Sequence, residues 1–175
     1  MANQEEVHLE KSIVVNKNRN HLFKMWKNYE ALPLIFDFLE EVTALDENHS
    51  IWSILIDGSE RVSWDTEITE EVQNQLIRWH SQGSAEVLHE GALQFTSAEN
   101  NISTRINLQL HFYFPPMQDS KPDMLGEDLS NRIEHDLLRF KIAVEANQFP
   151  KMREIRAGLP KGFPGSNPIQ RKDFY

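Results

Sequence analysis

The segment LGEDLSNRIEHDLLRFKIAVE, residues 125–145, decides the fold. Leu125, Leu129, Ile133, Leu137, Phe140 and Val144 fall three or four apart, with Leu138 and Ile142 widening the stripe, while Glu127, Asn131, Glu134, His135, Lys141 and Glu145 take other directions. The spacing predicts an amphipathic helix of about 22 to 25 residues that includes Leu125 to Val144, roughly 33 to 37 Å long at 1.5 Å per residue. Ser120 with Asp123 three residues later resembles a capping box just ahead of it. Burying each apolar side chain of the stripe stabilises by roughly 1.5 to 3 kcal/mol, so the helix must dock on an apolar surface long enough to receive it.

That surface is read from the preceding sequence. Val7, Leu9, Ile13 and Val15 alternate with His8, Glu10, Ser12 and Asn16, the period of a half-buried strand. The period then changes: Leu22, Phe23, Trp26 and Tyr29 recur at helical spacing from Asn18 to about Tyr29, with Asn16 or Asn18 as the cap. Pro33 interrupts, and a second short helix is expected around Leu34 to Phe38. Strand faces follow at Trp52/Ile54/Ile56, Val62/Trp64/Thr66/Ile68, Ile77/Trp79/Ser81, Gly91/Leu93/Phe95 and Ile106/Leu108/Leu110/Phe112/Phe114. Asp57-Gly58 is the turn signal after the first of these, and Pro115-Pro116 ends the last. Strands so spaced argue for an antiparallel meander with one wet face. A sheet bent around one long helix leaves a hollow wherever it curves more than side chains can fill.

The 175 residues suffice for one domain of ordinary size. The chain has no cysteine, which excludes disulfides, thiolate metal sites and a Cys nucleophile and fits a reducing compartment. The net charge of −9 disfavours binding to phosphate backbones, so nucleic acid is not expected as a partner. There is no secretory signal pattern and no apolar run of about 18 residues, so the expectation is a cytoplasmic protein without a transmembrane segment. Charge is unevenly placed: residues 147–175 carry a balance of +4, leaving −13 for residues 1–146. That stretch also holds four of the eight prolines, so it is read as a basic, Pro/Gly-rich tail beyond a domain of residues 1–146. Leu159, Phe163, Ile169, Phe174 and Tyr175 give the tail apolar anchors, either for packing on its own domain or for a protein partner.

Several strings together carry a resemblance: VHLEKSIVVN (7–16), LFKMWKNYEALPLIF (22–36), VSWDTEITEEVQNQLIRWHS (62–81), GALQF (91–95), FYFPP (112–116) and the closing helix. In order and spacing they resemble the START-like (SRPBCC) superfamily, in its polyketide cyclase/dehydrase branch, which includes the coenzyme-Q-binding proteins. The resemblance covers residues 7 to about 146. It implies an α+β helix-grip fold: a curved antiparallel sheet of about seven strands around a long C-terminal helix, with two short helices after the first strand. Trp64 and Ile68 on the fourth strand, Ile77, Trp79 and Ser81 on the fifth, Gly91, Leu93 and Phe95 on the sixth, and Asp136, Leu137, Arg139 and Phe140 on the helix match the pattern. The chain departs from it at the tail and at Ser97-Ala98-Glu99-Asn100-Asn101, where relatives often have a glycine-rich turn.

The resemblance implies a binding or carrier role for a hydrophobic small molecule: a lipid, an isoprenoid quinone or a polyketide-like compound. The expected ligand-binding residues are Trp52, Trp64, Ile68, Trp79, Phe95, Phe112, Phe114, Ile133, Leu137 and Phe140. The same aromatic residues would equally fill an ordinary core. An aromatase/cyclase acting on a polyketide, and a protein-interaction module with a filled interior, are the alternatives. No cofactor, metal site or catalytic residue is assigned: His8, His21, His49, His80, His89, His111 and His135 lack metal-binding spacing, and no nucleophile or phosphate-loop motif occurs. The histidines are read as solvated, with His80 and His111 at a pocket rim. Asp65 and Glu67 are placed on the wet side of their strand, and Asp136, if buried, demands a partner such as Arg139 or a strand hydroxyl.

Overall fold

The computed structural model describes residues 5–37, 39–56, 60–83, 88–114 and 122–148. Strand β1 spans Glu5–Val15 and is followed by helix α1 (Arg19–Lys27), a 3-10 turn (Tyr29–Ala31) and helix α2 (Leu32–Ile35). Six strands follow: β2 (Glu41–Ala44), β3 (His49–Ile56), β4 (Glu60–Val72), β5 (Leu76–Gln82), β6 (Leu88–Ala98) and β7 (Ser103–Phe114). Helix α3 (Pro122–Glu145) comes last. The strands form one antiparallel, curved sheet in the order β1-β7-β6-β5-β4-β3-β2. Consecutive strands β1 and β2 thus lie at opposite edges, and the connection carrying α1 and α2 has to cross the whole sheet.

Local chemistry accounts for most boundaries. Asn18 caps α1, its Oδ1 accepting from the His21 N–H at 2.9 Å. Pro33 does not interrupt a helix; it lies in the first turn of α2, where its missing N–H has no intrahelical partner to lose. α2 therefore begins and ends earlier than the periodicity suggests. Asn74 adopts φ 61° in the turn between β4 and β5, a left-handed conformation that asparagine tolerates better than most residues. A register shift between Ile68 and Glu70 on β4 marks a bulge, which increases bend and twist there. Ala98 ends β6, and the departure at Glu99–Asn101 is a 3-10 turn.

One core packs on the inner face of the sheet. Val15, Ile106, Leu108, Leu93 and Phe95 from the strands meet Leu22, Phe23 and Trp26 of α1 and Ile133, Phe140 and Val144 of α3, all buried. Helix α3 approaches β1 and α2 most closely. Polar ties fix its C-terminal end: the Asn16 N–H donates to Glu145 at 2.7 Å, Lys17 donates to Asn147 at 2.8 Å, and Lys141 donates to the Val14 carbonyl. Lys11, on the apolar side of β1, reaches Glu134 of α3 at 2.6 Å. The stripe on α3 is narrower than its sequence suggests, because Leu138 and Ile142 are 46% and 47% exposed. The Asp57-Gly58 turn, Ser120 and the tail from residue 149 onward lie outside the described residues.

Candidate functional site

Strands β3 to β7 place a set of aromatic side chains on the inner face of the sheet. Trp52 and Trp64 are paired across β3 and β4, Trp79 lies opposite Ile68 and Gly91, and His89 lies opposite Phe112. His89 is central: its ring is 5.7 Å from Trp52, 5.5 Å and edge-on to Trp64, and 6.0 Å and stacked on Phe112. Trp52 and Trp79 are 6.3 Å apart. The Trp79 indole lies flat over Gly91, where a Cβ would stand only 2.1 Å from its Cζ2. Glycine here makes room for a ring, which is the packing reason for its place in the strand.

Of the ten residues expected to bind a ligand, Trp52, Trp64, Trp79 and Phe112 form this wall, with Ile68 partly buried beside it. Phe95 and Phe140 belong to a second cluster: Phe95 packs edge-on against Phe23 at 5.5 Å, and Phe140 against Trp26 at 5.4 Å. Ile133 and Leu137 are buried on α3. Phe114 ends β7, and its side chain lies outside the described set.

The wall carries buried polar atoms that the described residues leave unmatched. Among the described residues, Trp64 Nε1, Trp79 Nε1, Thr66 Oγ1 and His89 Nε2 have no hydrogen-bond partner. Leaving each unpaired costs about 1 to 3 kcal/mol. Trp52 shows the contrast, since its N–H donates to Ser50 Oγ at 2.8 Å.

His89 corrects the reading of all histidines as solvated. It is 4% exposed and shares the inner face of β6 with Gly91, Leu93 and Phe95; following that strand's alternation two residues back reveals it. Burial, reinforced by nearby His80, lowers its pKa to about 4. The unfolded chain takes up a proton near pH 6.5 while the folded chain does not. Stability contributed by the neutral ring is therefore present above pH 6.5 and lost as pH falls toward 4. Replacing His89 by Gln is expected to shrink the loss of stability between pH 7 and 4.5 by about 2 kcal/mol, measured by urea unfolding. An unchanged acid loss would contradict this burial.

His80 and His111 are not at the rim of the inner wall. With His8, Arg78, Glu90 and Gln109 they line a groove of about 280 Å³ on the opposite face of the sheet. His80 pairs with Glu67 at 3.2 Å and His111 with Glu6 at 3.4 Å. Asp65 is exposed and Glu67 half-buried on this same outer side. Among the described residues, no group of three or more His, Asp or Glu side chains is placed to hold a metal ion.

A second buried polar cluster pins α3 to the segment after α2. Asp136 is 3% exposed, and Arg139 pairs with it and with Asp37 at 2.8 Å. Asp136 also accepts from the Asp37 N–H at 3.2 Å. Burial, with the Asp37 charge, raises the Asp136 pKa to about 7 against the opposing pull of Arg139. The partner demanded of a buried Asp136 is the expected Arg139; Asp37 carries no signal in the sequence, because only the docking of α3 brings it near.

Among the described residues, no helix is long and apolar enough to cross a membrane. The folded chain superposes on a Deinococcus radiodurans protein with a TM-score of 0.67 at 23% identity, covering 80% of this chain and 98% of that one. A START superfamily protein from Mycobacterium smegmatis gives 0.60 at 15% identity, covering 81% and 96%. The Zhui aromatase/cyclase from a Streptomyces species gives 0.52 at 14%, covering 90% and 98%. These likenesses establish the START-like helix-grip fold. No curated protein matches the chain in sequence. The family model described as polyketide cyclase / dehydrase and lipid transport matches residues 15–141, well over half of the chain, which therefore belongs to that family.

Proposed function

We propose that this protein binds or carries a hydrophobic small molecule, held between the inner face of the sheet and α3. The observation that carries the reading is the aromatic wall of Trp52, Trp64, Trp79 and Phe112 around His89, with four buried polar atoms unmatched among the described residues. Binding sites for such ligands combine large apolar area with a few orienting polar groups, and this wall has both. The family's description names lipid transport beside cyclase and dehydrase chemistry, in keeping with a lipophilic guest. Phe95, Ile133, Leu137 and Phe140 extend the apolar lining toward α1 and α3.

Two measurements on the full chain test this. Extraction of the purified protein with chloroform and methanol is expected to release a lipophilic compound identifiable by mass spectrometry. After extraction, the neutral fluorophore N-phenyl-1-naphthylamine is expected to brighten on binding and be displaced by the recovered compound. A protein that releases nothing and leaves the fluorophore dark would instead favour the interaction module with a filled interior.

A further inference from the structure

Of the unmatched atoms of the inner wall, the Trp64 and Trp79 indole nitrogens are donors only, whereas Thr66 Oγ1 and His89 Nε2 can each donate or accept. An indole N–H donates and cannot accept, so Trp64 and Trp79 each present a donor with nothing to receive it. Thr66, 1% exposed, lies on β4 between Trp64 and Ile68, opposite Ser81. His89 touches the Trp64 ring, and Trp52 joins His89 to Trp79. Trp64 and Trp79 are thus joined through the rings of His89 and Trp52, with Thr66 two residues along β4 from Trp64. A hydrocarbon guest would leave both indole donors as unmatched as they are now.

Resting on the binding role proposed above, we infer that the guest carries a neutral hydrogen-bond-accepting oxygen, of ketone, aldehyde or ester type, received by the Trp64 and Trp79 N–H groups beside Thr66 and His89. Neutrality follows from the charges. His89 remains uncharged at neutral pH, and Arg139, the buried cation of α3, is committed to Asp37 and Asp136. Among the described residues of the patch there is no cation, so a carboxylate held there would be desolvated without a counter-ion from the patch. The patch thus favours carbonyl compounds over both hydrocarbons and free acids.

Three probes of similar shape test this by calorimetric titration of the full, delipidated chain at pH 7.5. They are 2-acetylnaphthalene, 2-ethylnaphthalene and 2-naphthoate. The ketone is expected to bind about 10-fold tighter than the hydrocarbon, the scale of one hydrogen bond to an otherwise unmatched buried donor, and tighter than the acid. Trp64→Phe and Trp79→Phe keep an apolar ring while deleting the N–H; the double variant should bring ketone and hydrocarbon within about 2-fold of each other. Equal binding of ketone and hydrocarbon to the unaltered chain, or tighter binding of the acid, would overturn this inference and leave the binding role standing. Failure of all three probes to bind would count against the binding role itself, and the inference would fall with it.

Discussion

Replacing Arg139 by methionine is expected to destabilise the protein by about 3 to 5 kcal/mol at pH 8, measured by urea unfolding. The substitution keeps most of the side-chain volume but leaves Asp37 and Asp136 facing each other in a buried site without their cation. The cost should fall at pH 5. Asp136 has its folded pKa raised to about 7, so the folded state holds a proton there that the unfolded chain releases near pH 4. Its contribution therefore weakens the folded state as pH rises from about 4 to 7, and without Arg139 that trend steepens. Adding Asp136→Asn to the Arg139→Met variant should recover a large part of the loss at pH 8. A cost below about 1 kcal/mol, or one that does not change between pH 5 and 8, would show that the cluster is not buried as described.

Trp79→Ala is expected to cost about 3 to 5 kcal/mol and to weaken ligand binding, because it removes a 9% exposed indole that packs on Gly91 and faces Trp52. Gly91 is coupled to it. Gly91→Ala places a methyl group 2.1 Å from Trp79 Cζ2, and the ring cannot be bent aside as the end of a flexible chain would be. We expect about 1 to 3 kcal/mol from that overpacking in the unaltered background. In the Trp79→Ala background the same change should be nearly neutral, since nothing remains to collide with it. The double-mutant cycle, run by chemical denaturation, isolates the ring-on-glycine contact. A cost for Trp79→Ala below about 0.5 kcal/mol would place the indole on the other face of β5.

The two clusters divide the labour along the molecule. Asp37, Asp136 and Arg139 hold α3 to the segment that crosses the sheet, where burial and charge pairing fix position. Trp64, Trp79, Thr66 and His89 on β4, β5 and β6 present polar atoms unpaired among the described residues. The first arrangement pairs its charges within the chain, although Arg139 Nε, like the polar atoms of the wall, finds no hydrogen-bond partner among the described residues.

Legibility of the fold followed element length. The eleven- to thirteen-residue strands β1, β4, β6 and β7 and the 24-residue α3 carry enough repeats for a period to show. β2 does not: it has four residues, of which Val42 alone is buried, and a single apolar side chain has no period. Its existence follows only from the resemblance and the pairing with β3.

Alternation within each strand assigned the inner and outer faces from the sequence alone, because successive side chains must point oppositely: Trp64, Trp79 and Phe95 turn inward and Asp65 outward. The same rule, carried to His89, would have found the buried imidazole. Which inward residues meet one another was decided by tertiary structure, for alternation says nothing about neighbours across the sheet. Docking set Phe95 and Phe140 among the rings of α1 while Trp52, Trp64 and Trp79 gathered around His89, and it left Leu138 and Ile142 of α3 in solvent. Asp37 became a partner of Arg139 for the same reason: residues 102 positions apart are joined only when the helix packs on the segment after α2.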